Sequence, residues 1–480
     1  MKNIITITIL TISLGLTSCN KWLDVKPEDK FIEEEVFKTP QGFHDALNGI
    51  YLSISGDNLY GRMLNLETLD LLAQTYYISG AHDKKRQLLN SFNYGDKDVK
   101  AQLDGIWTNL YVNITNINRF LENLDTYGHV LDTQTKGLME GEALTARAYL
   151  YLDILRMFAP AFSVDKEAQT IPYYTNTTYK AAPFFKSTEV MANILADLKK
   201  SSELLLKYDP VLNMGRVDQT FGEVQLGSKP FLQFRNYHFN YFAAKGLEAR
   251  ANLWAGNKQD ALKSAEAVIA AKSKFPWIQA ADLSVLSQIN RVFSMELLLA
   301  FESPKLYKNY DELFSPALED KNILSAGTTN RFINVVYENW ENDFRYASNW
   351  RSNGGKSYPV FLKYADIPSD NNRNFRYTVP GMRISEMYLI ASECETDQTK
   401  ALAYLNELRK NRNCDILASS TGLLDNIKKE YRKEFYGEGQ LWYYYKRNDN
   451  RTINGATTTN KAVAVENYTF PIPQSETDPR

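Results

Sequence analysis

Eight aromatic residues fall in the 28 positions from Tyr337 to Tyr364: Tyr337, Trp340, Phe344, Tyr346, Trp350, Tyr358, Phe361 and Tyr364. Asn339, Asn342, Asn349, Arg345 and Arg351 are interleaved with them. An aromatic plane stacks on the apolar C–H face of a sugar ring, and amide or guanidinium forks bind its hydroxyls. The mixture therefore suits a glycan platform, although the same residues also pack cores. Trp340, Tyr346 and Trp350 are the candidates for ligand contact in this stretch. Tyr76 and Tyr77, in a loop-like segment before Gly80, and Trp277, after Pro276, are comparable candidates. Trp107 and Trp254 lie within helical periods and are expected in the core, as is the run Tyr443 to Tyr445 beside Lys446-Arg447.

Other chemistry is thin. His44, His82, His129 and His238 have no metal-ligand spacing, and no His-Glu-x-x-His, Gly-x-Ser-x-Gly or phosphate-loop motif occurs. No cofactor is implied. Asp96, Asp98 and Asp104 approach a calcium-loop pattern, but Lys100 and the position of Gly105 break its spacing, which leaves a solvated turn. A glycosidase carboxylate pair stays open, because 57 acidic residues offer many pairs and the required separation is spatial. Cys19, Cys394 and Cys414 are too few for a disulfide framework or a zinc site. Cys394 and Cys414 belong to opposite ends of a helical hairpin, about 20 Å apart at 1.5 Å rise per residue, and are expected as separate thiols. With 55 basic and 57 acidic residues and no strongly basic window, a nucleic-acid footprint is absent.

The N-terminus carries an address. Lys2 precedes a charge-free apolar stretch from Ile4 to Leu16, too short to span a bilayer, as in an export signal. Leu16-Thr17-Ser18-Cys19 resembles the bacterial lipobox, in which Cys19 is acylated and becomes the new N-terminus; a plain secretory signal is the simpler alternative. No second apolar run of about twenty residues follows, so the expected mature chain is anchored by lipid alone.

Helices must position these groups. Leu144, Ala148, Tyr151, Leu155 and Phe158 share one helical face that Pro160 ends. Ser187 or Thr188 can cap the next helix, whose stripe is Met191, Ile194, Leu198 and Leu205. A second pair runs from Ala243 to Ala255, turns at Gly256-Asn257, and continues through Ala261, Leu262, Ala265 and Val268, with Asn257 and Asp260 in capping-box-like spacing. A third joins Arg383–Glu395 to Lys400–Arg409. Small residues at these contacts let helices approach closely, as in degenerate tetratricopeptide-type repeats. Two excursions, Asp57 to Asp104 and Phe275 to Pro380, break the pattern, and long irregular segments commonly carry function. Aromatic residues make up 13% of the 480-residue chain, with 30 Tyr, and the part of that excess outside helical stripes lies in these excursions.

Taken in order, several strings resemble the SusD/RagB family of outer-membrane nutrient-binding lipoproteins. They are Cys19-Asn20-Lys21-Trp22-Leu23-Asp24 with Pro27, Ala46 to Tyr51, Trp107-Tyr111-Asn113-Asn116, Gly141-Glu142-Ala143 with Ala146 to Tyr149, and Arg383 to Glu393 with Leu405 to Arg409. Glu430, Arg432, Glu434 and Phe435 before Gly437-Glu438-Gly439, and the closing stretch Tyr468 to Gln474, complete the series. Asp343-x-Arg345 and Lys363-Tyr364 also resemble framework strings of the family. One departure is Gln440 to Arg447, where the family usually shows an arginine and a later aspartate; it suggests a divergent subgroup.

The resemblance implies a mostly α fold with four tetratricopeptide-like helix pairs and a loop-rich ligand-binding side. It further implies a signal peptide over 1–18 and a single domain over 19–480, with parts of about 19–220 and 221–480 interleaved. The protein would sit at the cell surface as a lid on a SusC-like, TonB-dependent transporter and hand it a glycan fragment without catalysis. An oligopeptide-binding member of the family and an exported glycoside hydrolase are the alternatives. No shared motif of the family carries its ligand positions, so none transfers to this chain.

Overall fold

A computed structural model describes residues 33–178, 180–218, 230–327, 331–367, 375–456 and 460–478. The expected signal peptide, 1–18, and Cys19 lie outside the described residues. Among the described residues helices dominate, and the strands form four two-stranded antiparallel sheets. Helix α1 (Pro40–Ile54) starts with Thr39 capping Gly42 and buries Phe43, Leu47, Ile50 and Ile54 along one stripe.

Helix α2 (Lys97–Tyr127) follows, 31 residues long. Its start corrects the turn expected around Asp96. The Asp96 carboxylate accepts from the Asp98 and Val99 amides, so the acidic cluster is a helix N-cap. One face of α2 buries Leu103, Ile106, Leu110, Ile114, Ile117 and Leu124, while Thr108, Val112 and Asn116, each four residues apart, face outward. Helix α3 (Thr133–Phe158) is buried on all sides from Gly137 onward, which fits its weak amphipathicity.

Strands β1 (Gln169–Pro172) and β2 (Phe184–Lys186) pair in antiparallel register with Pro172 opposite Phe184, and so close the base of the loop 173–183. Helix α4 (Ser187–Tyr208) packs back on α3. A Cβ on Gly141 would lie 2.7 Å from the Leu205 side chain, so glycine sets this helix spacing. The cap is Lys186, not Ser187 or Thr188: Glu189 accepts from the Lys186 amide at 2.8 Å, and Ser187 is already helical and buried.

The other two helical pairs are also present. Helices α5 (Tyr241–Ala255) and α6 (Lys258–Ile269) turn at Gly256, which is left-handed at φ +81°. Asn257 does not cap α6; its amide donates to Asn252 instead. Strand β3 (Leu297–Glu302) leads into the second excursion, which contains β4 (Trp350–Ser352) and β5 (Pro359–Phe361) and returns through β6 (Thr378–Arg383), paired with β3. Helices α7 (Ile384–Cys394) and α8 (Gln398–Lys410) form the third pair, and α9 (Leu423–Glu434) and α10 (Gln440–Arg447) continue the array. Cys394 and Cys414 are separate buried thiols.

The sequence strings quoted above turn out to be the wiring of this scaffold. Tyr51 on α1 donates to Glu142 on α3 at 2.6 Å, and buried Arg235 pairs with both Glu142 and Asp209. Burial alone would raise the Glu142 pKa, but Arg235 and His238 outweigh it and hold the carboxyl down at about 2. In the C-terminal half, Glu434 receives Arg345 and Arg412, Arg412 also pairs with Glu296, and Glu438 receives Lys363 and Arg383. Gly439, at φ +69°, brings the backbone against Leu64, where a Cβ would lie 1.9 Å from the carbonyl oxygen. The departing segment Gln440 to Arg447 is helix α10: Trp442 is fully buried and the Arg156 guanidinium lies 3.7 Å over the Tyr443 ring.

Candidate functional site

The aromatic candidates divide by burial. Tyr76 is in the core, with its hydroxyl donating to the Leu66 carbonyl at 2.9 Å. Trp350 is enclosed by Phe332, Phe361 and Tyr436, with ring centroids 4.2, 5.0 and 4.7 Å away. Trp277 is buried against Tyr388 and beneath the Arg412 guanidinium. Tyr346 is the half-buried outer end of the same aromatic chain, 5.2 Å from Tyr337. Trp340 is half-buried and donates its indole N–H to the Asn413 carbonyl at 2.7 Å. Tyr77 is exposed, and its amide donates to Ser325. Tyr76, Trp350 and Tyr346 thus belong to one packed chain of rings, whereas Trp277 and Trp340 have separate partners.

Both excursions are consequently more core-like than their irregular sequence implies. Tyr60 stacks on Phe301 at 4.6 Å and donates to Asp153 at 2.7 Å. Tyr337, Tyr358, Phe361 and Tyr364 are all buried. Arg345, from the same cluster, spends its guanidinium on Asp343, Glu430 and Glu434. Burial acts to raise the Glu430 pKa, yet Lys433, Arg345 and Arg409 hold it down at about 2.

A cleft of about 390 Å³ opens elsewhere, between the outer face of α2 and the loop after β1. That size falls within the roughly 300–1,000 Å³ of small-molecule sites. Its floor is two adjacent rows of the helix surface: Trp107, Tyr111 and Thr115 in one, Thr108, Val112 and Asn116 in the other. Tyr174 and Asn176 form the opposite wall, and Lys180 and Glu476 stand at the rim. Glu476 is carried by the short helix Gln474–Thr477, in a tail fixed by Phe470 against Phe158 and Tyr94.

The wall is held by side chains from below. The Tyr111 hydroxyl donates to the Pro172 carbonyl at 2.8 Å, and the Ala182 amide donates to the Tyr174 hydroxyl at 3.0 Å. Asn118 donates to the carbonyls of Tyr174 and Asn176, and its own oxygen accepts from Arg147 at 2.9 Å. Arg147 is in turn clamped bidentately by Asp197 at 2.8 and 2.7 Å. Tyr151 both donates to and accepts from Tyr174 backbone groups, and Glu122 accepts from Thr177. Burial, with Tyr151, Tyr174 and Glu476 nearby, pushes the Tyr111 pKa well up, so its hydroxyl stays a neutral donor.

Sequence reasoning named Trp107, Tyr111 and Asn116 as framework and did not single out Tyr174, Asn176, Lys180 or Glu476. The usable signal was the outward row Thr108-Val112-Asn116 opposite a complete apolar stripe. The wall and rim residues come from distant segments and carried no local signal.

A helical array with a preformed aromatic and amide cleft defines a binding protein scaffold, and comparison with known proteins agrees. A family model described as SusD-like, starch-binding and associating with the outer membrane matches residues 21–210, and the SusD family model matches residues 321–479. The chain belongs to the SusD/RagB family. SusD-like protein P2 of Formosa agariphila is 24% identical, over 98% of this chain and 96% of that one. In fold, the chain is similar to a SusD-like carbohydrate binding protein from Bacteroides vulgatus, with a TM-score of 0.68, 19% identity, and coverage of 92% of this chain and 96% of that one. It is also similar to surface glycan-binding protein A from Bacteroides uniformis, with a TM-score of 0.68, 17% identity, and coverage of 91% and 97%.

Proposed function

We propose that this protein is a lipid-anchored surface protein of the outer membrane that captures a glycan fragment and delivers it to a SusC-like, TonB-dependent transporter, without catalysis of its own. The observation that carries this reading is family membership through matches in both halves of the chain, one described as starch-binding at the outer membrane. Anchoring rests on the Leu16-Thr17-Ser18-Cys19 sequence. No described helix is long and apolar enough to cross a membrane, which fits a lipid anchor.

The test is a ligand panel. Incubation of the protein with polysaccharides and a peptide digest is expected to give glycan binding with no reducing ends released. Accumulating reducing ends would overturn the non-catalytic reading, and binding to peptides alone would overturn the choice of glycan. Mild detergent extracts are expected to hold the chain in complex with a large barrel protein; recovery only as free monomer would contradict delivery. Cys19→Ala is expected to release the chain from the membrane.

A further inference from the structure

We infer that the cleft between α2 and the loop 173–183 is the ligand site, and that it takes an uncharged, hydroxyl-rich sugar ring through Tyr111, Tyr174, Thr108, Asn116, Asn176 and Glu476. The inference rests on the glycan-binding reading above and assigns it a place and a ligand chemistry.

Three observations carry it. The first is the division of labour among polar groups. Tyr111, Asn118, Tyr151 and Arg147 are committed to building the wall, whereas the side chains of Thr108, Asn116, Asn176 and Lys180 face the cleft with no hydrogen bond or ion pair among the described residues. Uncommitted amides and hydroxyls around half-buried rings are what a sugar needs: a C–H face to cover and hydroxyls to receive and donate.

The second is preorganisation. The described residues of the loop, 173–178 and 180–183, have no regular structure, yet α2 and α3 fix Tyr174, Thr175, Asn176 and Thr177, and β1–β2 closes the base. A ligand then meets a wall whose ordering cost was met on folding, which favours affinity for a small, weakly binding group such as a sugar ring.

The third is charge. Among the described residues lining the cleft there is one base, Lys180, and one acid, Glu476, so the lining carries no excess positive charge for a sulfated or uronic polymer. Glu476 supplies acceptors for sugar hydroxyls instead. A polyanion would gain from Lys180 and lose against Glu476.

The experiment is affinity electrophoresis of the detergent-solubilised full chain in gels containing starch, laminarin, galactomannan, xylan, alginate, chondroitin sulfate or a casein digest. The wild type is expected to be retarded by at least one of the four neutral polysaccharides. Tyr174→Ala and Asn116→Ala are each expected to require about tenfold more polysaccharide for the same retardation. Tyr174→Ala also removes a loop contact, so Asn116→Trp, on an exposed helix face, is the second probe: it fills the cleft and should abolish retardation with an unchanged melting temperature. Trp340→Ala and Tyr346→Ala should be retarded like the wild type. Equal retardation of wild type and all cleft variants would overturn the site and leave the glycan reading intact. Retardation by alginate or chondroitin sulfate alone would overturn the uncharged-ring chemistry. Retardation by the casein digest alone, or by nothing, would overturn the glycan reading together with this site.

Discussion

The segment Tyr337 to Tyr364 and the cleft over α2 both hold aromatic rings beside amides and cations, yet the molecule uses them in opposite ways. In the first, rings and charges satisfy one another: Trp350 is enclosed by three rings, and Arg345 is consumed by three carboxylates. In the second, Tyr111 and Tyr174 are half-buried, and the side chains of Thr108, Asn116, Asn176 and Lys180 around them make no hydrogen bond or ion pair among the described residues. Aromatic density along a sequence therefore marks packing here, and the ligand-type surface is marked by unspent polar groups that several distant segments bring together.

The largest effects should come from the packed region. Arg412→Ala removes the ion-pair partner of buried Glu296 and one of the partners of Glu434, which keeps Arg345, and so leaves buried charge undercompensated. Denaturant unfolding should show a loss of about 3–5 kcal/mol. Trp350→Ala should also destabilise by about 3–5 kcal/mol through the cavity it leaves. A cost below about 1 kcal/mol for Trp350→Ala would mean that its ring is not core, and the comparison would fail.

Arg147→Ala comes next and probes the cleft from behind. It takes the guanidinium away from Asp197, which keeps only the Tyr173 hydroxyl, and from the Asn118 oxygen, so the wall loosens. The expected result is a loss of about 1–3 kcal/mol in stability together with faster amide hydrogen exchange in residues 174–178. Arg147→Lys should restore little, because a lysine cannot reproduce the bidentate clamp on Asp197. Unchanged exchange in the loop would show that Arg147 does not organise the wall.

The packed region also has a pH signature. Burial raises the Asp70 pKa from 3.8 to about 8, against the opposing pull of the Gly439 amide, Lys363 and Thr75. The folded state therefore holds a proton that the unfolded chain releases, so stability is full below about pH 3.8 for this group and falls as pH rises through about 8. Asp70→Asn should flatten that decline between about pH 3.8 and 8 in chemical denaturation series, and a slope equal to wild type over this range would refute the assignment. Trp340→Phe should be the mildest change, removing one partly exposed hydrogen bond to Asn413, at about 0.5–1.5 kcal/mol.

The scaffold was legible because its signals are local. Stripes such as Leu144-Ala148-Tyr151-Leu155 and the left-handed turn at Gly256 specify helices and their ends within a few residues. Cap positions shifted where an alternative bond was available, as when Asn257 turned to Asn252. The ion network and the cleft were not legible, because Glu296 meets Arg412 and Tyr111 meets Glu476 only through the fold. Asp96 to Asp104 was misread because a helix N-cap and a solvated turn share their residue preferences. Irregular sequence in the two excursions also concealed how much core they supply.

Hydroxyl-radical footprinting with and without a retained glycan compares the two regions in one sample. The account predicts protection of Tyr174 and Tyr111, with Tyr77, Trp340 and Tyr346 labelled equally in both states. Protection of Trp340 and Tyr346, with Tyr174 unchanged, would contradict it.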